Sequence, residues 1–139
     1  MAQLRIEAGR AYMVMSLERE ASLRDLRDLL AKGGKDVDLE ITHYVPGRMG
    51  VPPPGSPEDV AIFIVSNVSS HLIGVITSDV YKRAKSWARR RYEAKLRIAR
   101  ENGGDPKYVK GERFTIYGPD NEVLKSWTVD KDGEHGDDG

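Results

Sequence analysis

The stretch SPEDVAIFIVSNVSSHLIGVITSDVYKRAKSWARRRYEAKLRIAREN, Ser56 to Asn102, changes character at its middle. Val60 to Ser78 holds no charged residue, whereas Lys82 to Arg100 holds nine basic residues and one acid, Glu93. The apolar half has to hide against something; the basic half has to meet water or negative charge. Ser56-Pro57-Glu58-Asp59 reads as a helix start: a capping hydroxyl, proline at the first position, then acids at the positive end of the dipole. Val65, Val68, Leu72, Val75 or Ile76, Val80, Ala84 and Trp87 follow at steps of three and four, so the spacing predicts one helix from about Pro57 to Glu101. A competing reading makes Val60–Val65 a buried strand, because β-branched residues dominate it. The cap tips the balance to helix. Asn102-Gly103-Gly104-Asp105-Pro106 ends it.

Upstream, Leu4, Ile6 and Ala8 alternate with Arg5 and Glu7, the mark of a half-buried strand. Gly9-Arg10 interrupts it, and Ala11–Leu17 reads as a second extended run, giving a hairpin or one bulged strand. Ser22 is read as the cap of a helix whose Leu23, Leu26, Leu29 and Leu30 share one face and which Gly33-Gly34 stops. Val37, Leu39 and Ile41 alternate with Asp38, Glu40 and Thr42, a second strand. Val45 to Pro57 holds five prolines and three glycines and is a loop. Downstream, Phe114–Tyr117, the turn Gly118-Pro119-Asp120-Asn121 and Val123–Val129 form a hairpin. Asp130–Gly139 is acidic and glycine-rich, and disorder is expected there. No internal repeat is visible. The expected fold is α+β: a small mixed or antiparallel sheet of about four strands, closed by the C-terminal hairpin and covered by one short and one long helix. Residues 1–129 would form one domain and 130–139 an acidic tail.

A chain of 139 residues suits a single domain, and its formal net charge of zero confines any electrostatic attraction to local patches. The absence of cysteine excludes disulfides, thiol catalysis and cysteine-based zinc sites, and makes a reducing cytoplasm the simplest compartment. The N-terminus carries no apolar signal-peptide core, so secretion by that route is not expected. Val60–Ser78 has nearly the length of a bilayer span, but Ser66, Asn67, Ser69, Ser70, His71, Gly74, Thr77 and Ser78 are poor bilayer residues. Burial within protein fits it better.

Catalytic signals are sparse. His43, His71 and His135 are the only histidines, and neither Gly-x-Ser-x-Gly nor His-Glu-x-x-His occurs. His71, Ser70 and Asn67 read as packing or interhelical hydrogen bonding, Arg48 as an exposed loop arginine, and Asp132, Glu134, His135, Asp137 and Asp138 as too loose a set for a metal. No catalytic residue, cofactor or metal site is assigned. The candidate anion or partner contacts are Lys82, Lys85, Arg89, Arg90, Arg91 and Lys95, interleaved with Tyr81, Trp87 and Tyr92. Against this stands the plainer reading of a solvated face with Trp87, Tyr81 and Leu96 turned inward. The acidic tail is a candidate screen for the basic helix. Apolar side chains on more than one side, Ile62, Phe63, Val65 and Ile73, motivate a homodimer.

Several short motifs carry a resemblance. The Leu-rich helix and Val/Leu strand lead to Pro46-Gly47-Arg48-Met49-Gly50; Trp87-Ala88-Arg89-Arg90-Arg91 ends the long helix; Tyr117-Gly118-Pro119-Asp120 makes the final turn. Over residues 4–129 this layout resembles the effector-associated constant component family of bacterial conflict systems. The resemblance implies a non-enzymatic α+β adaptor encoded beside effector proteases or NTPase-based immunity modules. The chain departs from that family in its longer basic extension, Arg91–Arg113, and in the polar Ser66–His71 stretch. The reading is therefore a cytoplasmic adaptor working through the long helix, with an effector or a second copy as partner. Nucleic-acid binding through the basic half of that helix is the alternative, and membrane association through residues 60–78 the third.

Overall fold

A computed structural model describes residues 3–10, 17–43, 58–65 and 69–137. Its elements are β1 (Gln3–Arg10), α1 (Leu17–Ala31), β2 (Asp36–His43), β3 (Glu58–Ile64), α2 (Ser70–Glu101), a 3-10 turn at Pro106–Tyr108, β4 (Glu112–Tyr117), β5 (Val123–Asp130) and β6 (Gly133–Asp137). The strands form one mixed sheet in the order β2-β1-β3-β4-β5-β6. The α+β class and the β4–β5 hairpin stand, but the hairpin does not close the sheet, which has six strands rather than four and ends on β6.

The continuous rod from Pro57 to Glu101 does not exist. Its first part is β3, which lies between β1 and β4 in the middle of the sheet. Val60, Ile62 and Ile64 point to the core, while Ala61 and Phe63 take the other face, a period of two that suits β-branched side chains. The helix begins instead at Ser70, where the Ser69 hydroxyl accepts the Leu72 N–H at 3.3 Å. Ser56 and Pro57 lie outside the described residues, as do Ala11–Ser16 and the Pro46–Pro54 loop. Leu17, expected in an extended run, opens α1; Ser22 is buried inside that helix instead of capping it. Gly34, with φ of 81°, does follow the end of α1, where a side chain would be strained.

β1–α1–β2 and β3–α2–β4 are each a parallel pair joined through a helix, and β1 meets β3 antiparallel at the centre. The two units are thus related by an approximate two-fold axis through the sheet. Parallel crossovers have one hand, and a rotation about that axis keeps both helices on the same face. One core results: Leu23, Leu26 and Leu30 of α1 and Ile76, Val80, Ala84, Trp87 and Ala88 of α2 pack over Leu4, Ile6, Ile62, Phe114, Ile116 and Trp127. Trp87 ties the helices together, its indole N–H donating to the Ser22 carbonyl at 2.9 Å.

The C-terminal segment is a further correction. Expected to be disordered, it turns back and pairs antiparallel with β5, from Ser126↔Asp137 to Asp130↔Gly133. No helix among the described residues is long and apolar enough to cross a membrane.

Candidate functional site

The six basic residues singled out on α2 do not form a common surface. Arg91 and Lys95 turn toward Glu112 at the start of β4, whose side chain is fully buried. Lys95 Nζ lies 2.7 Å and Arg91 Nε 3.8 Å from the Glu112 carboxylate. Arg19 of α1 completes the cluster, donating to both carboxylate oxygens at 2.8 and 2.7 Å while its guanidinium stacks over Trp87. A charge so deep is tolerated only when paired and hydrogen-bonded. Glu112 is therefore a structural anchor that draws both helices onto β4.

Lys85 and Arg89 are drawn to aromatic faces. Lys85 Nζ sits 4.3 Å from the Trp127 ring centroid and the Arg89 guanidinium 5.4 Å from it, and Arg89 also pairs with Glu134 of β6. Of the six, Lys82, Arg89 and Arg90 are exposed, Arg89 while paired with Glu134, and Arg90 flanks a groove of about 750 Å³ whose α1 wall carries Glu18, Asp25 and Asp28. Arg97 and Arg100 are exposed further along. Earlier on the helix, burial opposes the charge of Asp79. Hydrogen bonds from Lys35 and Arg83 outweigh it and hold its carboxyl below the ordinary range.

The four apolar residues are divided by the pleat. Ile62 is fully buried and so closed to a second copy, while Ile73 is partly buried against the core. Phe63 and Val65 share the opposite face, which carries no helix among the described residues, Val65 being 41% exposed. There the Phe63 and Tyr117 rings stack at 4.8 Å with an interplanar angle of 15°, and the Arg5 guanidinium lies 4.9 Å from the Phe63 centroid. Three adjacent strands thereby contribute one flat, half-buried row. At its β4 end Arg113 forms a two-point ion pair with Asp59, the second contact 2.7 Å long. That hydrogen bond, opposed by partial burial, raises the Arg113 pKa. Toward β2 the same face becomes acidic, with Glu7, Asp36, Asp38 and Glu40 around Arg5.

His71 is exposed in the first turn of α2, and Asn67 lies outside the described residues, as does Arg48. His135 is exposed on β6. Among the described residues, no group of three His, Asp or Glu is placed to hold a metal ion. The sheet face was missed because its members come from β1, β3 and β4, and only strand register brings them together. The alternation Ala61/Phe63 against Ile62/Ile64 was the available signal. The chain matches no protein-family model and no curated protein sequence.

Proposed function

We propose that the protein is a non-enzymatic interaction module, an adaptor of the kind the resemblance to effector-associated constant components implies, and that its partner docks across the sheet face opposite the two helices. The observation that carries this reading is the Arg5–Phe63–Tyr117 row on the face of the sheet where, among the described residues, no helix packs. Flat aromatic rows with an arginine at the edge are the side chains from which binding hot spots are built. The acids of β1 and β2 beside the row favour a partner that brings basic side chains. The basic residues of α2 supply less, since Arg83, Arg89, Arg91 and Lys95 are engaged within the fold.

The test is co-purification with the products of neighbouring genes, comparing the wild-type chain with Phe63→Glu. Binding that survives the substitution, with the fold intact by circular dichroism, refutes the assignment of the surface. A second copy is the other occupant this face suits, since Val65 is exposed beside Phe63. Sedimentation at tens of micromolar, the scale of ordinary dimer affinities, decides it, and a clean monomer removes self-association. Nucleic-acid binding rests on exposed Lys82, Arg90, Arg97 and Arg100. Four phosphate contacts would give a log–log salt slope of about −3.6 for duplex DNA, and a retardation assay without salt dependence dismisses that reading.

A further inference from the structure

The strand β6, Gly133-Glu134-His135-Gly136-Asp137, contains no apolar side chain, yet it holds the sheet edge beside β5. Its own composition disfavours a strand, so the receiving surface must supply the order. Three features of that surface do so. The β5 backbone gives the ladder, pairing Trp127 with Gly136 and Val129 with Glu134. Arg89 takes the Glu134 carboxylate. Tyr81 and Trp127, edge to face with centroids 6.3 Å apart, form a floor on which Gly136 rests. A Cβ at position 136 would stand 2.9 Å from the Tyr81 hydroxyl oxygen and 3.1 Å from Trp127 Cε3, closer than ordinary contact, so glycine is what lets the backbone descend onto the rings.

The floor belongs to α2 and β5, and cations hold it from the sides. Lys85 and Arg89 lie against Trp127, and Lys125 Nζ lies 4.8 Å from the Tyr81 centroid. The occupant is attached by the tight turn at Lys131-Asp132, with Gly133 at φ of 108° and the Asp132 N–H on the Asp130 carboxylate. The lock reads backbone, one acid, and a glycine two residues later.

We propose that the β5 edge, with Arg89, Tyr81 and Trp127, is a strand-addition site for an extended acidic segment of a partner protein with a Glu-x-Gly pattern, and that β6 is the chain's own occupant of it. Strand addition gives affinity through main-chain hydrogen bonds and selectivity through the pockets for alternate side chains. A tethered occupant competes at an effective concentration in the millimolar range, so a partner strand binds only by displacing β6. This site lies on a strand edge away from the Phe63–Tyr117 row and does not depend on it.

The experiment uses the full chain carrying Glu134→Lys and Gly136→Val, and a fluorescent peptide of the chain's own residues 131–137 as probe. In the wild type the amides of 133–137 are protected from hydrogen exchange and the peptide binds weakly. In the variant that protection is lost and the peptide binds at least tenfold tighter. A second peptide with valine at the glycine position loses that affinity. A folded variant that releases β6 yet ignores the peptide overturns the proposal, and so does a variant whose β6 amides stay protected. A wild-type dimer that the peptide dissociates would assign the edge to strand exchange between copies, overturning the partner reading.

Discussion

The two faces of the sheet handle charge in opposite ways. On the helix side, Arg19, Arg91 and Lys95 converge on one buried carboxylate, and removing it leaves three cations without their counter-charge. On the opposite side, Arg113 and Asp59 form a pair that is also two-pronged, but in water. Geometry alone therefore does not rank them. Burial does, because a solvated pair gains little over its two hydrated ions while a buried one cannot be dissolved without cost.

The sharpest way to break the comparison is at Glu112. Glu112→Ala should cost ~3–5 kcal/mol in urea unfolding, the usual penalty for breaking a buried pair by removing one partner. A loss below ~1 kcal/mol would mean that water reaches the cluster. Ring truncation should separate the faces in the same way: Phe114→Ala, in the core, about 3–5 kcal/mol, against about 1 kcal/mol for Phe63→Ala, whose stacked pair is half in solvent. Ser69→Ala should cost about 1 kcal/mol if the helix starts where its hydroxyl caps it; no loss would reopen the helix start.

Acid titration gives a smaller effect. Asp79 has a depressed pKa in the folded chain, so its contribution is complete above the unfolded carboxylate range near pH 4 and is lost as pH falls through the lower folded value. Stability at pH 3 relative to pH 6 should therefore fall less in Asp79→Asn than in the wild type. An identical acid limb would show that Lys35 and Arg83 do not favour its ionised form. The smallest effect belongs to Arg113→Ala, under about 1 kcal/mol, since its pair is exposed.

Elements with a clean period were legible in the sequence. The leucines of α1, the alternation in β1 and β2, and the β4–β5 hairpin all carry their pattern locally. β3 was not, because a short apolar run satisfies both periods and the capping chemistry at Ser56-Pro57 favoured the wrong one. β6 carries no hydrophobic pattern at all; Arg89 and the Tyr81–Trp127 floor hold it from far along the chain. The basic stripe was legible as a stripe. Its destinations were not, since Glu112 looks like any surface acid until Arg19 and α2 close over it.

The central position of β3 also sets a kinetic order. Its pairing with β4 joins residues 54 apart, as in Asp59 with Arg113, while β4 and β5 meet through a tight turn. Closure entropy rises with the logarithm of the intervening length, and chains rich in distant pairings reach the native state slowly. The β4–β5 hairpin can form within microseconds, whereas the middle of the sheet must await the docking of α2. In a refolding time course, amides of Val60–Ile64 should gain protection after those of Phe114–Tyr117, so the strand at the centre of the finished molecule arrives last.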